Sequence, residues 1–244
     1  MLIHARHVLC LLIDDLDDLA RIVDAFPGFT VDWTYSKAEP DPRMERAFES
    51  SRDRVVPSLG DDDRAAIAGH RAVGYVLSPH LLVDDPDPAS AQAVSAQAVR
   101  LIGAAFAAGA RAAKGESSGI AHGRRRWISL AEMVDGDADS RAMGLHAAWV
   151  RRPIGDDSHY YSCGMHLLGK PDVEIGTTTP PAAALTWLDA VAIWSLTETG
   201  GLVDGELFDH LPGQPGRALS RTACTRYPED DFFYNPHGYW RIGS

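Results

Sequence analysis

The sequence has few cysteines and no long apolar run. Its three cysteines, Cys10, Cys163 and Cys224, are far apart and include no C-x-x-C pair, which excludes a zinc ribbon and a disulfide framework. The apolar run from His7 to Ile13, HVLCLLI, has the length of a strand and leads into an acidic amphipathic stretch. It predicts a first strand, with neither an export signal nor a membrane anchor, and we therefore expect a cytoplasmic protein.

Positive charge is also scarce. The 244 residues include 23 Lys and Arg against 34 Asp and Glu, a formal net charge of −11 at pH 7. A nucleic acid would be repelled by most of such a surface, whereas a basic partner surface would be attracted. The hydrophobic fraction of 45% and charged fraction of 23% are those of a soluble globular protein.

Cofactor and metal motifs are absent. The sequence contains no G-x-x-x-x-G-K-[ST], no H-E-x-x-H and no G-x-G-x-x-G after a strand. His4 and His7 stand at a strand entry, and His159 and His166 are seven residues apart on a predicted strand, which separates them by more than about 20 Å. We expect no cofactor, no metal site, no nucleic acid partner and no membrane partner.

The periodicity of the first half predicts two β-α-β units. The first combines strand 7–13, a helix that begins after Asp14 or Asp15, and strand 29–35. The second combines strand 70–78, a helix with Asp87 as N-cap and Pro88 at its first position, and strand 110–114. A long connection, residues 36–63, carries one short helix near 44–52.

The second half is predicted to add a helix opened by the capping box Ser129–Glu132 and a hairpin of strands starting at Leu145 and Ser158. A helix capped by Thr179 and an aromatic closing segment follow. The predicted fold class is α+β: a mixed sheet built from split β-α-β units, a ferredoxin-like sandwich with helices packed mainly on one face. We expect one compact unit, 1–244, or two intimately packed halves, 1–120 and 121–244.

Gly115-Glu116-Ser117-Ser118-Gly119 matches the G-x-S-x-G pattern of a hydrolase nucleophile elbow. An elbow needs a buried strand before the serine and a helix directly after it, but the sequence predicts no helix before about Ser129. The weak catalytic candidates are Ser117, Ser118 and His122. A triad completed by Asp172 or Glu174 with His210 or His237 stays open.

The same stretch offers two other interpretations. In one, its glycines supply unusual dihedral angles and its polar side chains satisfy backbone groups. In the other, it forms a surface for a small polar ligand or a partner, because an acid, two hydroxyls, an imidazole and a guanidinium fall close together. The residues of that predicted surface are Glu116, Ser117, Ser118, His122, Arg124 and Trp127.

Two segments carry a resemblance. The ESSG segment, Glu116 to Gly119, precedes Trp127, and a later segment contains Gly164, Met165, Leu168, Gly169, Pro171, Asp172, Val173 and Glu174. This arrangement resembles an uncharacterised bacterial family, a domain of unknown function, over about the central and C-terminal two-thirds of the chain. The sequence departs from the family pattern at Cys163, His166 and Asp172. The resemblance implies no established activity.

These observations predict a binding or protein-interaction module, of the accessory or immunity type, with an unknown protein partner or a small polar ligand. The alternative is a small serine hydrolase that uses the Gly115–Gly119 loop, so whether the protein is an enzyme stays open.

Overall fold

A computed structural model describes residues 5–56, 59–81, 88–198 and 200–243. Two sheets and seven α-helices are formed by these residues, a mixed α+β architecture. The first half contains β1 (Val8–Ile13), α1 (Leu16–Val23), β2 (Thr30–Val31), α2 (Met44–Ser51), α3 (Asp61–Ala68), β3 (Ala72–Leu77), α4 (Pro88–Ala107), β4 (Ala112–Gly115) and β5 (Ile120–His122).

The first sheet is antiparallel, with the order β2-β3-β1-β4-β5. Side chains of β1 alternate between its faces: Leu9 and Leu11 pack with α1 and α4, whereas Cys10 and Leu12 pack with α2 and α3. Helices therefore cover both faces, and the prediction that they pack mainly on one face is wrong. A continuous apolar run such as β1 is what a strand buried on both faces requires.

The second half forms a separate six-stranded sheet, so the expectation of one mixed sheet is also corrected. Its order is β6-β7-β8-β11-β10-β9, in which β8 and β11 are parallel. A 3-10 helix, Met165–Leu168, lies between β7 and β8. The elements are α5 (Arg124–Val134), α6 (Ala138–Trp149), β6 (Arg151–Gly155), β7 (His159–Cys163), β8 (Asp172–Gly176), α7 (Pro181–Thr197), β9 (Leu207–Phe208), β10 (Arg217–Thr222) and β11 (Tyr239–Ile242).

The prediction of a strand from Leu145 is wrong for residues 145–149, because these residues form the end of α6. Asp137 caps that helix by accepting a hydrogen bond from the Ser140 backbone N–H at 2.8 Å. Gly144 to Trp149 are all buried, so the C-terminal half of α6 lacks the polar face from which helical periodicity is recognised. The next predicted strand ends at Cys163, because Gly164 turns the chain with φ of +126°.

Other helix boundaries also differ from the prediction. Helix α5 begins at Arg124 rather than near Ser129, and the Arg124 N–H donates to Asp63 Oδ1 at 2.9 Å, a partner 61 residues away that no local pattern reveals. Helix α7 begins at Pro181, with Pro180 rather than Thr179 at the N-cap. The predicted cap Asp87 lies outside the described residues, whereas Pro88 is the first residue of α4.

One core cluster runs through both sheets. It contains Leu9 of β1, Trp149 of α6, Val173 of β8 and Trp240 of β11. The boundary predicted near residue 120 coincides with the start of β5, inside the first sheet. Within the described ranges, we find no helix with the length and apolar character needed to cross a bilayer.

Candidate functional site

The Gly115–Gly119 segment is the turn of the β4–β5 hairpin. Ser117 Oγ donates to the Arg6 carbonyl at 2.7 Å and accepts from the Val8 N–H at 2.9 Å. Ser118 is fully buried, and its Oγ donates to the Gly115 carbonyl at 3.4 Å. The order is strand-turn-strand, so the turn lacks the following helix that an elbow needs for its oxyanion hole. Both hydroxyls satisfy backbone groups, as the structural interpretation of the sequence predicts.

His122 and Trp127 lie in the core. His122 Nε2 is 3.0 Å from the Ala147 carbonyl, and its ring packs edge-on against Trp127 at 4.9 Å. Burial lowers the pKa of His122 to about 4, although the nearby Asp53 opposes the shift. Among the described residues, neither serine hydroxyl of the turn is hydrogen-bonded to a histidine, so the geometry gives the hydrolase alternative no support.

Arg124 lies at the other end of the hairpin. Gly115 pairs with Ile120 beside the turn, whereas His122, two residues before Arg124, pairs with Ala113 at the open end. The Arg124 guanidinium donates to the Phe106 carbonyl at 3.0 Å. The six residues predicted to share a ligand surface therefore do not do so, and only Glu116 of the six lines the cavity described next.

A cavity of about 810 Å³ opens between one end of the first sheet and segment 229–236. It lies on the sheet face that carries α2 and α3, because Val8 and Tyr75 share that face with Cys10. Its described lining consists of Ala5, Arg6, Val8, Asp32, Tyr35, Tyr75, Leu77, His80, Glu116, His166, Glu229, Asp231, Phe232, Phe233, Tyr234 and Pro236.

Carboxylates dominate the charge of this lining. Asp32, Glu116, Glu229 and Asp231 contribute four, whereas Arg6 is the one guanidinium among the described lining residues. Glu116 forms an ion pair with the buried Lys114, whose Nζ lies 2.9 Å and 3.0 Å from its two oxygens. The cavity therefore favours a cationic occupant.

Aromatic rings form much of the wall. Tyr35 is 67% exposed and Phe232 is 55% exposed, and Tyr75, Phe233 and Tyr234 line the same space. Rings of this kind bind apolar side chains and attract cations to their faces. Exposed aromatic side chains around a concave surface are typical of binding sites rather than of inert surface.

His166 is the buried polar residue of the cavity wall. It is 2% exposed, and neither ring nitrogen meets the geometry of a hydrogen bond within the described part of the chain, although the Phe232 backbone lies close enough to favour the protonated ring. Burial, followed by the charge of His237, lowers the pKa of His166 to about 4, so the imidazole is neutral at pH 7. The sequence analysis considered His166 as an excluded metal ligand and as a departure from the family pattern, and it did not predict a site there.

Segment 223–238 covers one face of the second sheet and provides a wall of the cavity. Asp172, fully buried, accepts from Asn235 Nδ2 at 2.7 Å and from Ser162 Oγ at 2.9 Å. Burial raises the pKa of Asp172 to about 6 despite these bonds. Glu174 accepts from Arg226 at 2.5 Å and from Arg241 at 2.6 Å.

Sequence reasoning missed this role of Asp172 and Glu174, which it weighed only as family-like and possible triad residues. Their spacing of two on a strand was the available signal, because it places both carboxylates on one face. In the described residues, no group of three or more His, Cys, Asp or Glu side chains is placed to hold a metal ion. His4 lies outside the described residues.

The resemblance to a bacterial domain of unknown function stays a prediction. Comparison of the chain with protein-family models, with curated proteins and with solved structures finds no match.

Proposed function

We propose that the protein is a binding or protein-interaction module, of the accessory or immunity type, and that the cavity bounded by segment 229–236 receives a basic segment of a protein partner. The observation that carries this proposal is the lining of the cavity, where four carboxylates stand among five aromatic side chains. The net charge of −11 adds a long-range attraction for the same class of partner.

A protein partner fits the cavity better than a small polar ligand. The opening exposes Tyr35 and Phe232 at its rim, so an extended chain can contact the rim while one side chain enters. Aromatic residues are enriched in the core of protein interfaces because they bury a large area at a low cost in conformational entropy. The cytoplasmic location stays a prediction.

The fold can also be described more finely. We propose that the first sheet with α1 and α4 is a ferredoxin-like sandwich. The order β2-β3-β1-β4 supports this, because the β1–β2 connection passes over β3 and the β3–β4 connection passes over β1.

A fluorescein-labelled nona-lysine peptide tests the binding proposal by fluorescence anisotropy at low salt. The double variant Glu229→Lys/Asp231→Lys is expected to bind it at least about tenfold more weakly than the wild type. The control Glu132→Lys/Asp139→Lys changes the net charge equally, on exposed positions of α5 and α6. Equal losses in both variants, or no binding by the wild type, would rule out the cavity as the site.

The serine-hydrolase alternative is not proposed, because the hydroxyls of Ser117 and Ser118 already bond to backbone groups. A fluorophosphonate probe is expected to leave the protein unlabelled. Labelling that disappears in Ser117→Ala would restore the enzymatic alternative.

A further inference from the structure

This inference rests on the proposed function and narrows its partner. We propose that the cavity receives an arginine side chain of the basic segment, with the guanidinium held by Glu116 and His166 and the aliphatic stem packed against the aromatic wall. The juxtaposition of a carboxylate, an unpaired imidazole and several rings in one cavity carries the proposal.

His166 places a buried imidazole in the wall of the cavity. A buried polar nitrogen without a hydrogen bond costs about 1–3 kcal/mol, so native proteins nearly always give such an atom a partner. A neutral imidazole has one acceptor nitrogen and one N–H donor. A cationic N–H donor that reaches His166 would satisfy the acceptor, and the described residues supply no such donor.

Glu116 supplies the carboxylate of the site. The Glu116 side chain is 28% exposed, and its pair with Lys114 uses only part of the hydrogen-bonding capacity of its two oxygens. A carboxylate accepts about four hydrogen bonds, and the planar fork of a guanidinium matches two of them at once. The buried Lys114 holds the carboxylate in place, which lowers the entropic cost of adding a second cation.

The cavity distinguishes arginine from lysine, and the protein itself provides the example. The Arg226 guanidinium lies 4.4 Å from the Tyr161 ring centroid and 4.9 Å from that of Tyr239, and it donates to Glu174 at 2.5 Å. The cavity offers the same chemistry in Tyr75, Tyr234 and Glu116. A lysine ammonium is a compact, strongly hydrated charge, and it lacks the planar fork with which a guanidinium lies flat on a ring and presents two parallel N–H donors to a carboxylate.

Two features of the site shape the binding step. Both ring nitrogens of His166 are covered, so the incoming group has to displace part of segment 229–236, where the Phe232 backbone approaches the imidazole. Arg6 also lines the cavity, but its single charge is outweighed by the four carboxylates. The protein therefore binds the guanidinium by a local rearrangement rather than by a rigid fit.

The experiment compares fluorescein-labelled nona-arginine with nona-lysine on the full-length wild type by fluorescence anisotropy. We expect the arginine peptide to bind about tenfold more tightly. His166→Phe keeps a ring but removes both nitrogens, and it is expected to reduce the preference below about threefold, whereas His166→Gln retains an acceptor and keeps most of it. Glu116→Gln should lower the affinity for both peptides. Its control is Glu132→Gln.

The outcomes separate this inference from the proposed function. If neither peptide binds the wild type, both fail. If both bind equally, and binding still depends on Glu229 and Asp231, the basic partner stands and the arginine site is overturned. A folded His166→Phe variant with an unchanged preference would also overturn it. If that variant does not fold, the ring ¹⁵N signals of wild-type His166 decide: they should shift with nona-arginine and stay unchanged with nona-lysine.

Discussion

Two regions of this protein combine a carboxylate with tyrosine rings, but they differ in whether a guanidinium of the chain lies between the rings. On the second sheet, Tyr161, Tyr239 and Glu174 enclose the guanidinium of Arg226, so carboxylate and rings are satisfied within the chain. On the first sheet, Tyr75 and Glu116 face a cavity. The difference shows that one arrangement can serve as a structural clamp or as a binding surface, depending on whether a cation of the chain lies on the rings. Lys114 pairs with Glu116, but it lies over Phe48, which does not line the cavity.

The largest expected effect concerns the clamp. Arg226→Ala should lower the free energy of unfolding by about 3 kcal/mol, because it leaves the buried Glu174 with one of its two arginine partners and removes the cation between two rings. Urea denaturation measures this loss. Arg125→Ala, at an exposed position, should change the value by less than about 0.5 kcal/mol. Equal effects of the two substitutions would remove the distinction between clamp and surface.

The second effect concerns the pH dependence of His166. Its folded-state pKa of about 4 lies below the 6.5 of an unperturbed histidine, so the unfolded chain binds more protons between these values and stability falls as the pH falls. This histidine alone should cost about 2 kcal/mol between pH 7 and pH 5.

His166→Phe should remove that part of the acid sensitivity, as urea titrations at both pH values would show. His122 keeps its contribution in the variant. Burial, followed by the charge of His166, lowers the pKa of His7 to about 3, so His7 stays neutral between pH 7 and pH 5 when His166 is replaced. A variant with the same loss of stability as the wild type between pH 7 and pH 5 would contradict the prediction.

The third prediction concerns a substitution that introduces a cation into the cavity. Leu77 lines the cavity and pairs with Val8, which is hydrogen-bonded through its carbonyl to the Glu116 N–H. Leu77→Arg should weaken nona-arginine binding about tenfold, since the new guanidinium competes for Glu116. Leu77→Met is the matched control and should bind as the wild type does. Unchanged affinity of Leu77→Arg would place the binding surface elsewhere.

The smallest expected effect is the change in stability caused by a substitution in the cavity lining. Glu229→Gln should change the free energy of unfolding by less than about 0.5 kcal/mol, because surface charges contribute little to stability. Glu174→Gln, the same change in the clamp, should cost several times more, since Glu174 is buried and bonded to two arginines. Thermal denaturation of both variants tests the pair. A loss in Glu229→Gln as large as that in Glu174→Gln would mean that both regions are structural.

The sequence predicted those elements whose signal is local. Strand β1 was found because a strand buried on both faces is a continuous apolar run, and α1 because Leu19 and Val23 repeat at helical spacing while Asp15 caps the first turn. Helix α6 was missed because its C-terminal half is buried on every side, and the alanines and Trp149 of that half resemble a strand.

Local sequence patterns could not predict the cavity, and the reason is geometric. Its lining comes from separate stretches around residues 5–8, 32–35, 75–80, 116, 166 and 229–236, which only the tertiary fold brings together. Glu116 was predicted to lie on a ligand surface, and it lines the cavity. His122 and Trp127 were predicted beside it because they are near in sequence, but β5 carries them into the core, where both are buried. Proximity in sequence therefore indicated one member of the site and misplaced the others.

The position of β11 in the second sheet has a consequence for how the chain is made. Tyr239–Ile242 pairs with β8 on one side and β10 on the other, so the strand nearest the end of the described chain occupies the interior of its sheet. Such long-range pairings slow folding, and β11 is synthesised after every other strand described here. On the ribosome, β8 would have an open edge, and Glu174 would lack its Arg241 partner, until β11 emerged.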